Sequence, residues 1–77
     1  MTQVYFNCSN AKDVLIDRCG AMVGDLAEAR DRAACVVRSL TTARSPKDWR
    51  GWILHVNDNV GEELFVVPFA FVLGKPN

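Results

Sequence analysis

The chain has 77 residues, with nine basic and nine acidic side chains and a hydrophobic fraction of 49%. This length is typical of one domain, so residues 1–77 are expected to fold as a single unit, and the apolar content excludes a disordered protein. The balanced charge lacks the basic excess of a general nucleic-acid binder, so nucleic acid is not the expected partner.

Targeting and cysteine usage favour a cytoplasmic protein. The first residues show neither a basic region nor an apolar core of a signal peptide. Residues 64–73 are apolar but span only half of the about 20 residues that cross a bilayer. Cys8, Cys19 and Cys35 show no paired spacing with each other or with a histidine, so we predict three reduced thiols, no metal and no cofactor.

Two short strands are predicted at the start. Residues 4–8 alternate, with Val4, Phe6 and Cys8 on one side, and residues 14–16 form a second short strand after a polar connection. Residues 17–20 predict a turn that is closed by glycine.

Residues 25–43 carry the one long helical pattern. Asp25 and Glu28 match an N-terminal capping box, and Pro46 prevents continuation beyond the end. The apolar side chains fall on one narrow stripe, as a helix packed on a sheet requires. The stripe contains Leu26, Ala29, Ala33, Val36, Val37 and Leu40.

A second pair of strands follows the helix. Residues 49–56 begin a third strand, in which Trp52, Leu54 and Val56 share one face. A turn at residues 57–61 leads to a fourth strand at residues 63–67, and Pro68 ends that strand or confines it to an edge. Residues 69–73 form an apolar tail.

The resulting ββαββ order predicts an α+β fold, namely an antiparallel four-stranded sheet with one long helix packed on one face. One helix leaves the other face bare. With Val14 and Ile16 assigned to the helix side, the expected bare face is apolar, so we predict that a homodimer or an unidentified protein partner covers it. The tail at residues 69–73 is an alternative cover. The predicted interface residues are Tyr5, Leu15, Ile53, His55, Phe65, Val67, Phe69 and Phe71.

Two local features could carry chemistry. His55 is the only histidine and has no catalytic partner near it in sequence, so no enzyme is predicted. Basic groups alternate with indole rings at Arg44, Lys47, Trp49 and Arg50, which could hold a nucleotide phosphate or stack on bases. The alternative reading of the tryptophans is core packing.

An ordered set of short motifs resembles a known family. The set comprises Tyr5-Phe6, Asp17-x-x-Gly20, Asp25-Leu26-x-x-Ala29-Arg30-x-x-Ala33, Trp49-x-x-Trp52, Val56-x-Asp58-x-x-Gly61 and Pro68-Phe69. It is similar to a small bacterial domain-of-unknown-function family that is common in rhizobia. Cys19 departs from the polar or acidic residue usual there, and the first hairpin lacks the glycine that many members have. The resemblance implies the fold but no activity, cofactor or catalytic residue. The leading hypothesis is therefore a non-enzymatic interaction or dimerisation module.

Overall fold

A computed structural model describes residues 2–43, 49 and 51–74. It confirms the α+β class and adds one short strand and one short helix to the predicted elements. In chain order the elements are β1 (Thr2–Ser9), β2 (Val14–Leu15), β3 (Ala21–Val23), α1 (Leu26–Ala43), β4 (Ile53–Asp58), β5 (Glu63–Pro68) and α2 (Phe69–Leu73).

The sheet is antiparallel throughout, in the order β2-β1-β4-β5. Strand β3 also pairs with β1, on the Thr2–Val4 half, whereas β2 pairs with Cys8 and Ser9 at the other end. The two short strands therefore share one flank of β1. Strand β3 was not predicted because three residues between two glycines show no alternation to read.

The gap between β2 and β3 is closed by Asp17. Its Oδ2 accepts a hydrogen bond from the N–H of Phe6 (3.1 Å), and its Oδ1 accepts from the N–H groups of Cys19 (3.0 Å) and Gly20 (3.1 Å). The Asp17 carboxylate thus accepts from the N–H of a β1 residue that lies between the segments paired with β3 and β2. The same carboxylate fixes the predicted turn. Gly20 has φ +72°, and a Cβ there would lie 2.9 Å from the Val4 carbonyl oxygen.

The capping box predicted for α1 is confirmed. The Asp25 carboxylate accepts from the N–H of Glu28 (2.8 Å), and the Glu28 carboxylate accepts from the N–H of Gly24 (3.1 Å). Ala29 and Ala33 are fully buried against the sheet, together with Val37. Small side chains on this stripe let the helix approach the strands closely.

An aromatic cluster holds the end of the core where β4 begins. The ring centroids of Trp49 and Trp52 lie 5.2 Å apart, and Phe69 stacks on Trp49 at 5.8 Å. All three rings are buried. The N–H of Phe69 donates to the Trp52 carbonyl (2.9 Å), so the backbone ladder also joins these residues. The core-packing reading of the tryptophans is therefore confirmed.

The predicted register of the second strand is wrong. Cys8 is buried and pairs with Leu15, so Leu15 shares its face and packs against the core. Val14 and Ile16, which were assigned to the helix side, are each 60% exposed. Alternation over three apolar residues cannot say which of them faces inward, because either phase leaves an apolar side chain on each face.

The apolar tail is also assigned differently by the structure. Residues 69–73 form α2, which packs against α1 on the helix side, so they do not cover the opposite face. Phe69 is a fully buried core residue. Phe71 is 81% exposed, but on α2 and therefore away from the bare side of the sheet.

Pro68 marks an edge, as predicted. The N–H of Phe69 donates to the Trp52 carbonyl, and Val67 pairs with Leu54. Because backbone N–H groups alternate in direction along a strand, those of residues 65, 67 and 69 point toward β4. The alternate residues, Val66 and Pro68, direct their backbone outward. Proline therefore costs no ladder hydrogen bond there, and it removes one donor from the exposed edge of β5.

Candidate functional site

The side of the sheet away from α1 is the candidate site, and we call it the open face. Strand pairing places its residues in register: Ser9 lies between Val14 and Ile53, and His55 lies between Asn7 and Val66. The open face comprises Gln3, Tyr5, Asn7, Ser9, Val14, Met22, Ile53, His55, Asn57, Glu63 and Val66.

Three strands bring Ser9, His55 and Glu63 together at its centre. His55 Nε2 lies 3.0 Å from Ser9 Oγ, and His55 Nδ1 lies 2.7 Å from Glu63 Oε1. A carboxylate only accepts, so Nδ1 is the donor in the contact with Glu63; in the neutral imidazole Nε2 then accepts from the Ser9 hydroxyl. Sequence reasoning missed both partners of His55, since Ser9 is 46 residues away and Glu63 arrives through a register shift in the β4–β5 pairing.

A second polar cluster adjoins the first. The Asn7 amide donates to Asn57 Oδ1 (3.1 Å), and Asn7 Oδ1 accepts from the N–H of Asp17 (2.9 Å). These residues border a hollow of about 340 Å³ that Tyr5 also lines. The polar groups at the centre of the open face are thus largely bonded to one another.

Asp17 borders the hollow on the open face, and three backbone N–H groups hold its carboxylate. Partial burial alone raises the pKa of its carboxyl, but hydrogen bonds from the N–H groups of Gly20, Phe6 and Cys19 outweigh burial and lower the pKa below its usual value. Burial, and then the charge of Asp17, raises the pKa of the Cys8 thiol to about 11. Cys8 is therefore an inert core thiol.

The predicted interface residues divide between the two sides of the sheet. Tyr5, Ile53 and His55 lie on the open face. Phe65 and Val67 pair with buried residues of β4 and pack against the core from the helix side, as Leu15 does from β2. Val66 and Val14 occupy the open face instead, and sequence reasoning did not select them.

The alternative ligand segment receives no support from Trp49, whose ring is buried in the aromatic cluster and is not available to stack on a base. Arg44, Lys47 and Arg50 lie outside the described residues, so their predicted role stays a prediction. Arg30, on α1, places its guanidinium 5.5 Å from the ring centroid of Phe65 and serves packing.

The arrangement of Ser9, His55 and Glu63 has the order of contacts found in acyl-transfer triads. Such catalysis also needs hydrogen-bond donors for an oxyanion and a cavity beside the nucleophile. Ser9 pairs with strands on both sides, and the hollow on this face is lined by other residues.

Within the described residues, no group of three or more metal-ligating side chains is positioned to hold a metal ion.

The family comparison now has a structural context. The model of the family described as Domain of unknown function (DUF6894) matches residues 3–70. The chain belongs to this family. No curated protein and no solved structure matches the chain at a significant level. The bacterial origin implied by the resemblance stays a prediction.

Several of the motifs singled out in the sequence have structural roles. Asp17-x-x-Gly20 closes the gap in the sheet, and Asp25 caps α1. Asp58 Oδ1 accepts from the N–H groups of Val60 and Glu62 in the β4–β5 turn. These motifs therefore specify the fold, and the open face lies largely outside them.

Within the part of the chain that is described, neither helix has the length and apolar character needed to cross a bilayer.

Proposed function

We propose that this protein is a non-enzymatic interaction module that forms a homodimer through the open face. The observation that carries the proposal is that exposed apolar side chains lie on the open face around polar groups that are largely bonded to one another. Ile53 and Val66 are exposed there, and Val14 flanks them from β2. Exposed apolar side chains grouped on one face mark interaction surfaces.

Because the polar side chains at the centre of the open face bond to one another, covering this face with a partner has a low desolvation free energy. Removing a polar group from water costs about 1–3 kcal/mol when its hydrogen bonds are lost. His55 keeps contacts to Ser9 and Glu63, and Asn7 keeps its contact to Asn57, whether or not water is present. A covering partner therefore does not have to supply matching groups at every position.

The size of the molecule favours use of a whole face. Its principal dimensions are 38 × 24 × 19 Å. A standard stable interface removes about 800 Å² of surface from each partner. That is about 15% of the 5252 Å² of accessible surface, so an interface of this size needs a large share of one face. A second copy brings the same apolar side chains and thus a matching surface.

Sedimentation analysis in reductant tests the proposal, because it separates sheet-mediated association from disulfide formation through the exposed Cys19 and Cys35. We expect a concentration-dependent dimer. Ile53→Lys should weaken it by about thirtyfold or more, because an interface contact is worth about 2 kcal/mol and the substitution enters both copies. Val60→Lys, at a more exposed apolar side chain (80%) in the β4–β5 turn, is the control away from the open face and should leave the dimer intact. A monomer at all concentrations, or equal weakening by both variants, would overturn the proposal.

The non-enzymatic part has its own test. If Ser9 acted as a nucleophile, hydrolysis of p-nitrophenyl acetate would fall strongly in Ser9→Ala. If the partly buried imidazole of His55 acted alone, the wild type and Ser9→Ala would hydrolyse the ester at the same rate. We expect the same rate in both proteins. A burst of p-nitrophenol that depends on Ser9 would contradict this part of the proposal and leave the dimer untouched.

A further inference from the structure

A second surface lies on the helix side, between α1 and the flank of the sheet formed by β2 and β3. It is a groove with a volume of about 810 Å³, whose apolar lining includes Phe6, Ala21, Val36 and Leu40. A neighbouring hollow of about 570 Å³ shares Phe6, Val36 and Leu40 and extends to Leu15. We call the two together the helix groove.

The helix groove has the length and form of a helix-binding trough. Its α1 wall extends from Glu28 to Ala43, which corresponds to about 22 Å of helix. The trough is open to solvent along α1, unlike the enclosed clefts that surround most of a small ligand. An amphipathic helix laid into a hydrophobic groove is an established mode of peptide recognition.

The sheet also has room for a second helix. Neighbouring strands lie about 4.8 Å apart and a helix with its side chains is about 10 Å wide, so a sheet four strands across takes two helices side by side. Helix α1 is one of them. Helix α2 has five residues and contacts β5 and α1, at the opposite edge from β2. The described residues therefore leave the β2–β3 flank without a helix.

The charged side chains that border the helix groove favour a positively charged helix as its partner. The groove is bordered by the carboxylates of Asp17, Glu28 and Asp31 and by the guanidinium of Arg32. Glu28 and Arg32 pair with each other at 3.7 Å, which leaves an excess of negative charge from the other two. Arg18 borders only the smaller hollow. The border of the main groove thus complements a positively charged partner.

We propose that the helix groove binds a basic amphipathic helix of a partner protein, whose apolar stripe lies on Phe6, Val36 and Leu40 and whose lysine or arginine side chains lie near Asp31. This site is separate from the open face, so the homodimer would present one helix groove on each outer side.

A titration followed by backbone amide shifts in ¹⁵N-labelled protein tests the inference. The probe is a synthetic helix of leucine and lysine with an apolar stripe of period 3.6. Its controls are the same composition in scrambled order and a version with glutamate in place of lysine. We expect shifts along residues 28–43 and at Phe6 and Ala21 for the basic helix, and at least about tenfold weaker binding for both controls.

Two variants sharpen the result. Asp31→Lys changes only an exposed charge and should weaken binding of the basic helix while strengthening that of the glutamate version. Ile53→Lys, on the open face, should change neither. Three results would overturn the assignment. They are equal binding of all three peptides, shifts confined to the open face, and displacement of the basic helix by decanoate, which would mean that the groove takes any apolar chain. Groove shifts that grow with protein concentration without peptide would identify a second copy as the occupant instead.

Discussion

At the scale of single residues, Asp17 does more for this fold than its place in a turn implies. One carboxylate serves three backbone donors and joins β1 to the loop between β2 and β3. Asn preserves only part of this arrangement, because its amide nitrogen cannot accept a hydrogen bond. Asp17→Asn should therefore lower the free energy of unfolding by about 1–3 kcal/mol in urea melts followed by tryptophan fluorescence.

The same residue gives a pH dependence. Because the pKa of Asp17 is lowered in the folded protein, its contribution to stability is complete above the unfolded value of about 3.9 and is lost as the pH falls through the folded value. We expect the stability of the wild type to fall more steeply below pH 4 than that of Asp17→Asn. Parallel curves would show that the carboxylate charge contributes nothing.

Gly20 is required by both conformation and space. Its φ of +72° is costly for other residues, and a Cβ would meet the Val4 carbonyl oxygen. Gly20→Ala should cost about 2 kcal/mol or more in the same urea melts. Gly51→Ala is the matched control, because among the described residues no atom other than those of its chain neighbours lies within 4 Å of a Cβ there. Equal losses in the two variants would refute this account of the turn.

At the scale of elements, α2 depends on one side chain. Phe69 is fully buried between the tryptophan rings and the core, whereas Phe71 in the same helix is largely exposed. Phe69→Ala should destabilise the domain by about 3–5 kcal/mol, enough to unfold much of a small protein. Phe71→Ala should stay within about 0.5 kcal/mol of the wild type. Thermal melts by circular dichroism compare the two.

The elements also show how far the sequence could be read. The capping box and stripe located α1 because helix periodicity repeats over eighteen residues. Strand β1 was readable for the same reason, since three inward positions alternate with polar ones. The existence of β2 was predicted, but its inward side and the helical form of α2 could not be read, because two to five mostly apolar residues fit either phase or either element. Their placement depends on Cys8 and Trp52, which are distant in sequence.

The candidate site was predictable only where it follows the long strands. Tyr5, Ile53 and His55 were placed correctly because the buried phase of β1 and β4 was clear. Ser9 and Glu63 reach His55 through pairing across three strands, and a register shift between Val56 and Asn57 brings Glu63 into position. A bulge of that kind leaves no periodic signal in the sequence.

At the scale of the whole molecule, the fold separates two surfaces. The open face has a bonded polar centre with exposed apolar side chains around it, and the helix groove is apolar with an acidic border. The outward-facing Pro68 discourages pairing through the β5 edge, so a dimer would form by stacking of faces. The Asp17-x-x-Gly20 motif and the Asp25 cap maintain the sheet and the helix that position both surfaces.

The most direct test of the central claim is an isotope-filtered NOE experiment on a mixture of labelled and unlabelled protein in reductant. It detects only contacts between copies. A dimer through the open face predicts intermolecular contacts to the methyl groups of Ile53, Val66 and Val14. Intermolecular contacts confined to α2 or the outer edge of β5, or none at concentrations where sedimentation shows a dimer, would contradict it.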